Sequence, residues 1–190
     1  MAQEKGLARL GGRPLVAHVV GILADITDEV VVAVAKGKEP SYREVLGADI
    51  TITEDERGDI GPLEGLVRAL QRAKGEYALV SPCDTPFLSA PVCREVSARA
   101  VRRDGAVPRV GRFLEPLHAV YRKDVCLEVF RAAVDRGSYK LADALVELDL
   151  EFVDEERLRE LDPHLDGFWN LNSPEDLEMA ERRLRRREGR

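Results

Sequence analysis

The sequence predicts an α/β fold, a mainly parallel sheet with helices on both faces. Two observations carry this. Apolar segments with helical spacing alternate with short β-branched runs for most of the chain, and those runs have the continuous apolar character of strands buried on both sides. No internal repeat, linker or low-complexity stretch divides residues 1–190, so one domain is expected, with a basic helical tail from about residue 180.

The elements follow in order. "PLVAHVVGILADI" has helical spacing behind a proline suited to a first turn, and "EVVVAVA" reads as a buried strand. "PSYREVL" predicts a short helix and "ADITIT" a short strand. A polar loop then runs to Asp59, followed by the helix "PLEGLVRALQRA" and the strand "EYALVS". The helix "APVCREVSARAVRR" leads to "GAVPRV", then to "PLHAVYR" and the helix "DVCLEVFRAAVDRG". The last third holds the helix "LADALVEL", the strand "LEFVD", the helix "ERLREL", the irregular "GFWNLN" and the closing helix "PEDLEMAERRLRRR".

A chain of 190 residues with 44% hydrophobic content can bury a sizeable core. Its net charge of -6 excludes a global attraction to nucleic acid or anionic membrane. The terminal "RRLRRR" follows "EDLEMAE" in helical register, which reads as a solvated helix end with cations near the negative dipole pole. No apolar run reaches the roughly 18 residues that span a bilayer, so a soluble cytoplasmic protein is expected. The three cysteines, Cys83, Cys93 and Cys126, form no CxxC pair, and the odd count suits a reducing compartment. His18, His118 and His164 lack metal-ligand spacing and read as structural.

In open parallel sheets, ligands bind beyond the carboxyl ends of the strands, so the loops there matter most. After "EYALVS", Pro82 and Pro86 bracket Asp84 in a stretch that can continue neither strand nor helix. Two readings stand: an anchor for one magnesium ion, or a turn acid capping the helix that starts near Ala90. In "DIGPLEGL", Gly61 and Gly65 share one face of the helix that Pro62 begins, either to receive a flat base or ribose or simply to pack. In "DGFWNLNSPEDL", Ser173 and Asp176 resemble a capping box. Capping leaves Asn170 and Asn172, alternate residues of an extended segment, without an explanation.

Together these segments resemble the molybdenum cofactor guanylyltransferases, which are Rossmann-like nucleotidyltransferases. "MAQEKGLARLGGRPLVAHV" looks like the second half of that family's opening pattern, LAGGxSxRMGxxKxLxxLxGxPLxxHV, with Lys5, Gly12, Pro14, Leu15 and His18 in register. "GPLEG", "PCDTPFL", "PLHAVY" and "NLNSPEDL" match further family motifs in the family's order, across residues 1–177. The family's first strand and glycine-rich loop have no counterpart here. Met1 stands where the family has the methionine of RMG, and the reading expects about twenty more residues ahead of it, one strand plus its loop.

The resemblance implies transfer of GMP from GTP to the phosphate of molybdopterin cofactor, with release of pyrophosphate and Mg2+ as the ion. It assigns Asp84 to the metal, Lys5 to the triphosphate, and the segment with Gly61, Pro62, Leu63 and Gly65 to guanine and ribose. Asp55 is the guanine-contacting acid by family position and Asp59 its competitor. Asn170 and Asn172 fall to the pterin side, and Lys140 to its phosphate by a weaker positional analogy. Ala35 and Lys36 stand where the family often has an asparagine, which loosens base selectivity. No nucleic acid or membrane partner is implied, and the resemblance leaves room for transient contact with molybdenum cofactor insertion proteins. The alternatives are a cytidylyltransferase for the same cofactor, a cobinamide-phosphate guanylyltransferase, and a non-catalytic nucleotide-binding protein lacking its phosphate loop.

Overall fold

The computed structural model describes residues 4–56 and 61–188. A single 3-10 turn, Lys5–Leu7, precedes a tight hairpin of β1 (Arg9–Leu10) and β2 (Arg13–Pro14), and α1 (Leu15–Ala24) follows at once. Then come β3 (Val31–Val34), α2 (Glu39–Leu46), β4 (Thr51–Glu54), α3 (Pro62–Arg72), β5 (Tyr77–Leu79) and α4 (Ala90–Ala100). The second half holds β6 (Gly105–Val110), β7 (Phe113–Leu114), β8 (Val120–Arg122), α5 (Lys123–Asp135), α6 (Leu141–Leu145), β9 (Leu150–Asp154), α7 (Glu155–Leu161) and α8 (Pro174–Glu188).

Every segment read as a helix in the sequence is one. The pairing is more mixed than the alternation suggests. β3–β4 and β6–β9 are parallel, whereas β5–β8, β6–β8 and β6–β7 are antiparallel. The reason is local: no helix follows β6, so the chain turns back once, and β7 and β8 both run against it. β7 is a two-residue strand that the sequence reading did not separate.

Adjacent residues of the central strands supply opposite cores, as the pleat requires. Val107 and Tyr121 pack with Leu63, Leu66 and Leu70 of α3 and with Phe130 of α5. Their neighbours Ala106 and Val120 pack on the other face with Val92 and Val96 of α4, Val153 and Leu158. β3 and β4 bury Val32, Val34 and Ile52 against Val16 of α1 and Tyr42 of α2. A further cluster, Leu10, Leu15, Phe87, Leu171 and Ala180, joins the N-terminal hairpin, the loop after β5, the segment before α8 and α8 itself.

The basic C-terminal helix pairs its cations with its own acids, Arg182 with Glu178 and Arg185 with Glu181, while Arg183 pairs with Asp166. Glu181 also accepts the Gly11 N–H at 2.6 Å, tying α8 to the hairpin. Among the described residues, no helix is long and apolar enough to cross a membrane.

Candidate active site

The loop after β5 is held from three sides. Thr85 is fully buried, and its hydroxyl donates to the Pro82 carbonyl at 3.1 Å. Phe87 stacks on Trp169 with ring centroids 5.9 Å apart. The Leu171 N–H donates to the Asp84 carbonyl at 2.9 Å, so the loop and the "NLN" segment are fastened together. The cap position of α4 belongs to Ser89, five residues further on, and Asp84 is left with a half-buried carboxylate at the strand end. Burial raises its pKa, its own backbone N–H lowers it, and the Lys5 ammonium lowers it further.

Lys5 arrives from the N-terminal 3-10 turn, and its Nζ donates to Asn172 Oδ1 at 2.7 Å. Lys5, Asp84 and Asn172, far apart in sequence, thus meet at one mouth. Asn172 is positioned by a capping box at the start of α8. Asp176 accepts from the Asn172 and Ser173 N–H groups at 3.0 and 2.9 Å, and Ser173 Oγ accepts the Asp176 N–H at 3.0 Å. The residue before Leu171 is different in kind: Asn170 Oδ1 is enclosed and has no hydrogen-bond partner among the described residues. The two asparagines therefore do not share one environment, because Asn172 is engaged by Lys5 and Asn170 is not.

The support under this segment is strained. Leu165 adopts the left-handed conformation (φ 53°), and Gly167 lies so near Ser89 that a Cβ would come within 2.9 Å of the Ser89 backbone nitrogen. Asp162, itself buried, accepts the Gly167 N–H at 2.8 Å and fixes the bend.

A second acid stands past β4. The Asp55 N–H donates to the Val34 carbonyl at 2.9 Å, extending the β3–β4 pairing by one bond. Burial pushes its carboxyl up to about 6, the neighbouring Glu64 adds to the rise, and Arg68 opposes it. Glu64 is buried in the first turn of α3, where its carboxylate accepts the Glu56 N–H at 3.0 Å. Arg68 pairs with Glu56 at 2.7 Å. Sequence reasoning passed over Glu64 and Arg68. Their four-residue spacing on one helix face was the available signal.

The glycines that frame α3 differ. Gly61 caps the helix at φ 90°, a conformation that favours glycine, and faces open space up to the Tyr139 carbonyl. Gly65 is closed over: a Cβ there would lie 3.3 Å from Asp55 Oδ1 and 3.5 Å from Ala33. Leu63 is fully buried, its side chain in the core with Leu66 and Leu70. Pro62 opens α3 beside Gly61. Asp59 lies outside the described residues. Lys140 is exposed at the cap of α6, next to the Tyr139 that approaches Gly61.

The histidines stand apart from this chemistry. His18 bonds the Leu10 carbonyl at 2.9 Å, and burial lowers His118 to about 4, so it is neutral at physiological pH. Cys93 and Cys126 are buried, and Cys83 sits at the mouth with its thiol pushed up to about 11 by burial and by Asp84. Among the described residues, no group of three or more His, Cys, Asp or Glu is placed to hold a metal ion.

Comparison with known proteins places most of the chain among nucleotidyltransferases. The model of the MobA-like NTP transferase domain matches residues 1–149. A molybdenum cofactor guanylyltransferase of Desulfosudis oleivorans is 32% identical over 179 residues, 94% of this chain and 86% of that one. The crystal structure of molybdopterin-guanine dinucleotide biosynthesis protein A from Archaeoglobus fulgidus superposes with a TM-score of 0.81 at 22% identity, covering 97% of this chain and 92% of that one. A 2-C-methyl-D-erythritol 4-phosphate cytidylyltransferase from Thermus thermophilus gives 0.74 at 22% identity, over 95% and 94%. The α/β nucleotidyltransferase fold is thereby shown.

Proposed function

Because the chain belongs to the MobA-like NTP transferase family, we propose that it is a molybdenum cofactor guanylyltransferase, moving GMP from GTP to the phosphate of molybdopterin cofactor with release of pyrophosphate. The observation that carries the reading is the meeting of Lys5, Asp84 and Asn172 at the mouth beyond β5, with Asp55 just past the end of β4.

The attacking group is a phosphate, whose second pKa near 6 leaves it largely dianionic at neutral pH, so no side chain need remove a proton. Lys5 offsets the charge that develops as pyrophosphate leaves, and alignment supplies most of the remaining rate. Asp55, with a pKa of about 6, is mostly ionised at pH 7 and can accept from guanine N1–H and the exocyclic amine together. The unpaired Asn170 Oδ1 is an acceptor suited to an amine of the pterin.

Asp84 is the residue that would hold a magnesium ion. The fit rests on its chemistry: a hard oxygen donor, half-buried at the strand end, whose pKa burial raises and Lys5 opposes. A lone carboxylate suffices, since magnesium takes one or two and completes its shell with phosphate oxygens and water. When bound, the ion neutralises the phosphates and holds them in line.

The test is a competition assay with GTP, CTP and ATP in the presence of magnesium and molybdopterin. GTP is expected to give pyrophosphate and the guanine dinucleotide, with CTP and ATP used at least about tenfold less well. Equal use of CTP, or no turnover with any of the three, overturns the reading.

A further inference from the structure

The first turns of α3 close on Asp55. Position 65 is a glycine, and a Cβ there would already stand 3.3 Å from Asp55 Oδ1 and 3.5 Å from the Ala33 Cβ. The missing side chain permits this approach, and Oδ1 is enclosed with no hydrogen-bond partner among the described residues. β3 contributes the Ala33 methyl and the Val34 carbonyl at this point, neither of them charged. α3 contributes two charges, Glu64, which is 4% exposed, and Arg68, one turn further along the same face. Glu56 holds both in place: its N–H donates to Glu64 Oε1 at 3.0 Å, and its carboxylate pairs with Arg68 at 2.7 Å.

The two charges act on Asp55 in opposite directions. Burial raises its pKa most, the Glu64 carboxylate raises it further and the Arg68 guanidinium lowers it, which leaves the group at about 6. An acid so placed changes its hydrogen-bonding character within a narrow pH range. Ionised, it accepts through both oxygens, and protonated, one of them becomes a donor. A base edge that presents two adjacent N–H groups is therefore matched by the ionised form alone.

We propose that Glu64 and Arg68 are positioning residues for base selection, whose opposed charges act through Asp55 to set the pH range in which the site takes a base with two adjacent donors. The inference rests on the reading of Asp55 as the base-contacting acid and goes beyond it, because it assigns the tuning of that contact to two residues of α3. The sign expected for Glu64 separates this role from a structural one. A residue that only buttressed the site would weaken nucleotide binding when altered, at any pH. Glu64→Gln keeps an acceptor for the Glu56 N–H and removes the charge, so it should tighten binding in mildly acid solution.

Two measurements on the 190-residue chain and its variants test this. Carboxyl-carbon NMR of the nucleotide-free protein follows the titration of Asp55, whose midpoint should fall below about 6 in Glu64→Gln and rise above it in Arg68→Gln. Calorimetry then gives the Kd for GTP of each variant relative to wild type, a ratio in which titration of the triphosphate and of Asp84 cancels. At about pH 5.5 Glu64→Gln should bind about threefold tighter and Arg68→Gln about fivefold more weakly, because apparent affinity scales with the ionised fraction. At about pH 8 all three should agree within about twofold. Midpoints that do not move in opposite directions overturn the proposal and leave the base reading standing. So does a Glu64→Gln chain that binds GTP more weakly at both pH values. Midpoints that move while neither variant changes its GTP affinity overturn the base reading of Asp55, and the proposal with it.

Discussion

Asp84 and Asp55 make an instructive pair. Each stands just beyond a strand, each is half-buried, and burial is the largest influence raising each pKa. Their neighbours differ. Lys5 opposes the rise at Asp84, whereas Glu64 adds to it at Asp55, with Arg68 in partial opposition. In the proposed function the first acid, beside the Lys5 ammonium, is assigned to the phosphates and the second, beside Glu64, to the base. Position in the fold sets both carboxylates just past strand ends. The charge beside each decides its task.

Breaking the first member has the largest expected effect. Asp84→Ala should lower kcat by about 100-fold or more, with circular dichroism unchanged, because it removes an electrostatic anchor aimed at the phosphates. Lys5→Ala comes next: kcat/KM for GTP should fall by about 10- to 100-fold, and Lys5→Arg should restore part of it. Asp55→Asn sharpens the contrast further. It should cost about tenfold in kcat/KM for GTP but much less for inosine triphosphate, which lacks the exocyclic amine.

The smallest effect is on stability, and its sign is fixed by linkage. Asp55 keeps its proton in the folded chain at pH values where the unfolded chain has lost it. Stability therefore falls as pH rises from about 4, the ordinary carboxylate range, through the folded pKa of about 6. Asp55→Asn should raise Tm above pH 6 and leave it unchanged near pH 4, as a melting series across pH would record. The carboxylate of Glu64 and the guanidinium of Arg68 are the charged groups that face Asp55, and both remain in that variant.

Much of this was legible in the sequence because local chemistry dictated it. Pro82, Asp84 and Pro86 can only form a constrained loop, Ser173 with Asp176 can only cap, and both devices stand where expected. The meeting of Lys5 with Asn172 spans 167 residues and was reached through family register rather than from spacing. Glu64 was quoted in a motif and left without a role, since nothing in one helix says that a strand end will bring Asp55 against it. The antiparallel turn of β8 was hidden because "PLHAVYR" reads as one strand, while its first residues form a turn closed by the His118 N–H to the Glu115 carbonyl.

The most direct test of the central claim is the affinity of GTP by titration calorimetry, with magnesium and with excess chelator, for the wild-type chain and for Asp84→Asn. A wild-type affinity that falls at least about tenfold on chelation, and a variant that binds alike in both conditions, is the predicted result. Chelator-indifferent binding by the wild type, or an undiminished magnesium response in the variant, contradicts the account.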